Sequence, residues 1–411
     1  MKLPNTLKFT GKDSSIVGKG KAELLRALYH KLKLQKEFNR KSKQDYYGVA
    51  PSVFIGSYNY PSVNAGILSS EEYEENDNPL LWSRKRDEFS LSRIIGLRSS
   101  MINSNFKTGG VRNPGRVSDK LKEISLSAKP LHAEVNLEKK PYFHFSFSPD
   151  SLPHGPSVAL RKLSVAENPK IPKAIDKAES DTDLKASSAL SGLFRKGFDE
   201  HYLTKVFSGG NLGVKTERRI VPTKWSITAV DDTVSKDLLR DSRDFQEHEL
   251  SVFFGGYMGN YYLVIVIPGP WSYELFETYV GPGLENPVLF ESASDYEGPY
   301  GRKVYASNTV GGYYAARLAC VEHMRSFRRR GRFLVLRFIS DEYWAPMGVW
   351  VVRQASRSAF QSKPLGFDSL EFALRHSRNF VLEKFNLDLG VLFKRSLLLK
   401  DVREQRTLSS Y

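Results

Sequence analysis

The sequence predicts an α+β fold, a largely antiparallel central sheet with flanking helices in two closely associated halves. Three observations predict it. ELSVFFGGYMGNYYLVIVIP (249–268) holds two strand-like runs around a glycine turn, the second too apolar to be exposed on either face. Helically spaced apolar stretches such as FSLSRIIGLRSSMI (89–102) and residues 311–330 alternate with such runs. Between the halves lies a stretch rich in Pro, Ser and Lys, residues 149–181.

The elements follow in order. KAELLRALYHKLKLQKEF (21–38) spaces leucines helically with lysines between them, and predicts a basic amphipathic helix in a basic N-terminal segment, residues 1–50. PSVFIGSYNYPSVNAGIL (51–68) reads as short strands and turns, and EISLSA, AEVNLE and YFHFSFS between 123 and 148 as three strands. These complete an N-terminal α+β part, residues 51–150. A connecting segment, 151–181, leads to a C-terminal α+β domain, 182–400. Within that domain 182–207 reads as a charged helical stretch and WSYELFETYV (271–280) as a helix. FLVLRFIS (333–340) and GVWVVRQ (348–354) read as strands, followed by helices near 354–361, 368–380 and 388–399. Residues 401–411 form a tail.

A chain of 411 residues can bury a large core. No run approaches the roughly 18–20 apolar residues of a membrane helix, and the first residues lack the apolar core of a secretory signal, so an intracellular, cytoplasmic protein is expected. One cysteine, Cys320, excludes an internal disulfide and every cysteine-rich zinc cage, and it sits in an apolar helical run as core filler. The net charge of +15 points to a polyanionic partner, DNA first, with nucleoid association, rather than to a membrane. Residues 1–50 alone carry twelve Lys or Arg against four Asp or Glu. A second concentration is RSFRRRGR, where Arg328, Arg329 and Arg330 serve either as phosphate ligands or as cations at a helix C-terminus.

No GxxxxGK[ST] loop or HExxH element occurs, which disfavours nucleotide-driven motors and zinc hydrolases, and nothing resembles a GxSxG elbow, although a Ser/His/Asp triad stays open. What remains is a set of acids in polar stretches. Asp231 and Asp232 in KWSITAVDD, with Asp295 and Glu297 in SDYEGPYGRK, have the chemistry to hold Mg2+ for phosphoryl transfer or to split into acid and base. Asp181 and Asp183 belong to the same class. Asp231 reads equally as a helix cap. Lys224, Arg302 and Lys303 can engage phosphate, and Trp225 can stack on a base or fill core. Gln405, Leu408 and Tyr411 follow a Q-x-x-aliphatic-x-x-aromatic pattern that one helical turn could present to an apolar pocket on a partner.

Several stretches together resemble the archaeal Nre DNA-repair proteins. They are PSVFIGSYNYPSVNAGIL (51–68), GLRSSMI (96–102), residues 152–186, RRIVPTKWSITAVDDTVSK (218–236), SDYEGPYGRKVYAS (294–307), GGYYAARLA (311–319) and the glutamine-led tail. The resemblance implies a role in DNA-damage repair and docking of the tail on the sliding clamp PCNA through Gln405, Leu408 and Tyr411. It names no reaction, so a catalytic acid cluster, a non-enzymatic adaptor and a metal-dependent nuclease or phosphodiesterase all stay open. Two departures stand out. The tail has one aromatic residue where such peptides commonly have two, which implies weaker docking. The cysteine-rich zinc motif that many members carry upstream of PSVFIG is replaced here by lysine-rich sequence, so no zinc is expected and basic charge is expected to grip DNA in its place.

Overall fold

A computed structural model describes residues 33–115, 117–280 and 292–408, with side chains through residue 404. Helix α1 (33–41) precedes a closed five-stranded barrel made of β1 (Asp45–Ile55), β2 (Asn64–Ser70), β3 (Ile102–Lys107), β4 (Leu131–Leu137) and β5 (Ser157–Val165). The strand order is β1-β2-β3-β5-β4, and β4 pairs back on β1. All pairs are antiparallel except β3 with β5. Alternation sends Val53, Ile55, Ala65, Ile67, Ala133, Val135 and Leu137 into the barrel core. Short helices α2 (Pro79–Arg84) and α3 (Leu91–Ser99) link β2 to β3. Helix α4 (Ser118–Leu126) lies between β3 and β4 and closes the core with Leu121 and Ile124.

The C-terminal part begins with α5 (Lys173–Ser180), α6 (Ala186–Arg195), α7 (Glu200–Ser208) and the long α8 (Thr223–Asp241). A six-stranded mixed sheet follows, built from β7 (Ser251–Tyr257), β8 (Asn260–Ile267), β9 (Ser272–Tyr279), β10 (Ala293–Glu297), β12 (Arg332–Ile339) and β13 (Leu365–Gly366). The remaining elements are β6 (Gln246–Glu247), α9 (Val310–Phe327), β11 (Arg329–Arg330), α10 (Gly348–Phe360), α11 (Leu370–Phe385), α12 (Gly390–Arg395) and α13 (Leu397–Leu408). The sheet order is β10-β9-β12-β8-β7-β13, with β9 and β12 parallel. Its two faces are both covered. Tyr262, Val264, Val266, Phe333 and Val335 pack toward α8, α9 and α10, while Leu263, Ile265, Ile267, Leu334, Leu336 and Phe338 pack toward α11, α12 and α13. Two-sided burial is why LVIVI carries no polar residue.

The α+β class and the largely antiparallel pairing hold, with one parallel pair in the barrel, β3 with β5, and one in the six-stranded sheet, β9 with β12, so that both are mixed rather than purely antiparallel. Several elements differ from their sequence reading. WSYELFETYV is strand β9, not a helix: Tyr273 and Leu275 face one core and Phe276 the other. GVWVVRQ opens helix α10 although its valines favour strands, because Val349 through Val352 are all buried and tertiary burial overrides propensity. EISLSA closes helix α4, where Leu121 and Ile124 sit three residues apart. YFHFSFS is loop with one isolated bridge, Ser146 to His154. Residues 151–181, read as a connector, supply β5, which completes the barrel, and α5. The predicted basic helix 21–38 is seen only from residue 33 onward; its start lies outside the described residues.

Candidate functional site

The first turn of α8 is pinned to the barrel. Thr223 Oγ1 accepts the N–H of Ile55 at 2.9 Å, which brings the β1–β2 loop (56–63) beside the helix. Tyr60 of that loop lies on Trp225, with ring centroids 5.0 Å apart and planes tilted by 55°. Trp225 is 43% exposed, so it is surface rather than core. Tyr58 in the same loop is almost fully exposed.

The β4–β5 loop approaches from the other side. Asp150 accepts the Val349 N–H on its carbonyl at 3.2 Å, and burial raises its carboxyl pKa while the Lys224 ammonium nearby pulls it down. Two glycines permit this approach. A Cβ at Gly311 would meet Val349 Cγ1 at 2.7 Å and Asp150 Oδ1 at 3.1 Å, and Gly348 has a φ of +62° with the Ser151 backbone 2.5 Å from its Cβ position. A third segment, residues 298–309, completes the surface: Tyr305 stands against Thr228 of α8 and Tyr314 of α9, half exposed, with its phenol pKa raised by burial. Four of the segments that carry the resemblance, scattered from residue 51 to 319, thus meet around the start of α8.

Each of the four sequence-predicted acids is engaged by an arginine, and two of them share one. Asp231 is fully buried on the inner side of α8, with Arg353 Nε 3.0 Å from Oδ1 and 3.1 Å from Oδ2. Burial pushes its carboxyl up to about 6 against the pull of Arg353. Arg353 and Arg357 of α10 also reach Glu200 of α7, at 3.6 and 2.8 Å, and Arg357 grips Glu322 of α9. That network ties four helices together. Asp232 points the other way, to Lys236 at 2.6 Å and Arg317 at 3.5 Å. Glu297 Oε1 accepts from Trp271 Nε1 and Arg317 Nε, both at 2.7 Å. Asp295 clasps the ends of the 298–309 loop: Oδ2 accepts from the N–H groups of Asn308 and Thr309, and Oδ1 pairs with Arg302 at 3.0 Å.

Arg317 therefore joins Asp232 to Glu297, and Arg302 joins Asp295 to the loop it spans, while Asp231 is turned away from all three. Arg302 is a loop clamp that also donates to the carbonyls of Tyr296 and Val304. Lys303 beside it is exposed. Among the described residues no group of three or more His, Cys, Asp or Glu is arranged to hold a metal ion. Asp181 Oδ1 accepts the N–H groups of Asp183 and Leu184 and closes a turn.

The arginine run lies elsewhere. α9 ends at Phe327, and its 18 residues put Arg328, Arg329 and Arg330 about 27 Å from its start. Arg328 caps the helix in a left-handed conformation over the Phe245 ring. Arg329 and Arg330 donate to the carbonyls of Glu247 and Arg243. At the C-terminus, Glu274 of β9 accepts the N–H groups of Leu397 and Leu398, and buried Leu398, Leu399 and Val402 seat α13. The backbone of Gln405 and Leu408 belongs to that helix, their side chains lie outside the described set, and Tyr411 is outside the described residues altogether.

Tyr60, Asp150, Tyr305 and Arg317 escaped the residue-by-residue reading. Their signal was present in one form: Tyr60, Tyr305 and Arg317 fall inside the resembling segments, and Asp150 lies two residues ahead of one. Cys320 is buried in the core, and no helix of the described residues is long and apolar enough to cross a membrane.

Comparison with known proteins gives a consistent result. The family model for archaeal Nre, N-terminal, matches residues 19–284, and that for archaeal Nre, C-terminal, matches 297–411. The chain is 35% identical over 345 residues to the protein named DNA repair protein NreA of Haloferax volcanii, covering 80% of this chain and 81% of that one. It is 36% identical over 364 residues to DNA repair protein NreB of Archaeoglobus fulgidus, covering 87% and 89%, and 36% identical over 329 residues to NreA of the same organism, covering 79% and 82%. No solved structure matches it. With both family models matched across nearly its whole length and four of its signature segments gathered on one surface, the chain belongs to the archaeal Nre family.

Proposed function

We propose that this protein works in DNA repair by holding DNA on the surface around the start of α8, and that a sliding clamp recruits it through Gln405, Leu408 and Tyr411. The observation that carries the DNA reading is the convergence of distant segments onto an exposed aromatic pair, Tyr60 and Trp225, flanked by Lys224 and with Lys303 on the adjoining loop. Buried scaffolding would not need those rings half in water. The relatives' names supply the DNA-repair context. Arg328, Arg329 and Arg330, at the far end of α9, and the basic residues before the barrel are further phosphate contacts.

The acids favour the adaptor form of this reading. Each of Asp231, Asp232, Asp295 and Glu297 is engaged by an arginine, and a carboxylate already neutralised in that way is a poor magnesium ligand. The test is binding of the full chain to labelled DNA across a salt series, with Lys224→Glu/Lys303→Glu as the variant. The variant should bind at least tenfold more weakly, with a shallower salt slope. Unchanged binding sinks the interface. Magnesium-dependent cleavage that Asp232→Ala abolishes would instead establish the catalytic reading.

A further inference from the structure

The barrel makes the DNA reading more specific. A five-stranded closed sheet in the order β1-β2-β3-β5-β4, with β3 and β5 its parallel pair and a helix between β3 and β4, has the arrangement of an OB barrel. In that architecture the outer face of β2 and β3, with the β1–β2 and β4–β5 loops, carries oligonucleotides. The same regions here have suitable chemistry. With Ala65, Ile67 and Phe106 on the barrel side, alternation turns Asn64, Asn105 and Lys107 outward at the end of β2–β3 that leads into the β1–β2 loop. Asn64 and Lys107 are exposed. That loop carries Tyr58 and Tyr60, and the β4–β5 loop carries exposed Lys139, Lys140 and Tyr142.

We infer that this barrel binds single-stranded DNA, with the backbone running over Asn105 and Lys107 and bases stacking on Tyr58, Tyr60 and Trp225. Short polar side chains on the sheet leave room for a strand and supply hydrogen bonds without a base code. Aromatic faces accept any base, which gives sequence-tolerant binding of roughly 4–16 nucleotides per barrel. Duplex DNA hides its base faces, so the aromatic group would gain nothing from it. The inference rests on the DNA-binding reading above and adds to it the class of DNA.

The test compares a fluorescent 15-nucleotide oligo-dT with a 15-base-pair duplex on the full chain at fixed salt. The single strand should bind at least tenfold more tightly. Tyr60→Ala and Trp225→Ala should each weaken oligo-dT binding about 5- to 150-fold, the range for loss of one stacked base. Trp225→Phe, which keeps a ring, should restore most of the affinity and so exclude misfolding as the cause. DNA binding with no preference for the single strand overturns the inference and leaves the DNA-binding reading standing, whereas oligo-dT binding unaffected by the two alanine variants overturns the inference together with the aromatic part of that reading. Tighter binding of the matching single-stranded RNA also overturns it. Failure to bind either DNA removes both.

Discussion

Arg317 offers the most exacting stability test. It is 2% exposed, its Nε sits 2.7 Å from Glu297 Oε1, its Nη1 lies 3.5 Å from Asp232, and its guanidinium stands 5.9 Å from the Trp271 ring. Arg317→Met keeps the apolar stem and removes the charge. Glu297, itself 3% exposed, would then be a buried carboxylate that keeps the Trp271 Nε1 hydrogen bond but has lost its compensating charge. Breaking a buried pair from one side costs about 3–5 kcal/mol, because the orphaned charge has lost its compensation. Replacing both partners costs far less, so Arg317→Met/Glu297→Leu should recover most of the loss. Thermal unfolding monitored by circular dichroism reads this directly. At roughly 2–4 °C per kcal/mol for a domain of this size, Arg317→Met should lower Tm by about 6–20 °C. A drop below about 2 °C, or a double variant no better than the single one, would refute the claim that this pair is a closed structural unit.

Three further predictions follow from other parts of the molecule. Burial holds His323 down to about 3, with His248 adding to the effect, so the unfolded chain takes up a proton there at a pH where the folded chain does not. Stability therefore falls as pH drops from about 6.5, by about 1.4 kcal/mol per unit from this group, and His323→Phe should flatten the Tm–pH curve between pH 6.5 and 4; an unaltered curve would contradict the assignment. A peptide ending in QRTLSSY should bind the sliding clamp weakly, and Leu408→Ala and Tyr411→Ala should each reduce that binding by about 1–3 kcal/mol, whereas equal affinity for all three peptides ends the tail proposal. Removing residues 1–32, which hold seven Lys or Arg and two Asp or Glu, should lower DNA affinity and flatten its salt dependence, and unchanged binding would exclude that segment as a DNA contact.

The legible part of the fold was local. The β7–β8 hairpin announced itself by an apolar run around Gly256 and Gly259, and α3, α9 and α11 by their spacing. The misread elements are those that tertiary burial decides. GVWVVRQ has strand-forming residues, yet as α10 it is buried on every side, where valine packing outweighs backbone preference. β9 is covered on both faces, so its apolar spacing matched a helix as well as a strand. The barrel could not be read at all: its closure depends on β5, which follows a 19-residue loop, and on a parallel pairing with β3 that no local pattern encodes.

The site divided in the same way. KWSITAVDD was visible as unusual, but its acids gave the wrong emphasis. On α8, successive residues Asp231 and Asp232 project about 100° apart and meet different arginines, Arg353 of α10 and Arg317 of α9, so their adjacency in sequence does not make a pair in space. The aromatic contact between Tyr60 and Trp225 joins residues 165 positions apart and only the fold could reveal it. Arg302 and Lys303 look equivalent in sequence, yet Asp295 ties down the first and leaves the second exposed.

The claim on which the rest depends is that DNA lies at the start of α8. Photocrosslinking of 5-iodouracil-substituted DNA to the full chain, with the linked peptides located by mass spectrometry, addresses it without any substitution. Crosslinks should map to Tyr58, Tyr60 and Trp225, with Tyr305 as the neighbouring site. Crosslinks confined to the Arg328–Arg330 end of α9, or to surfaces of α11 and α12, would contradict the account.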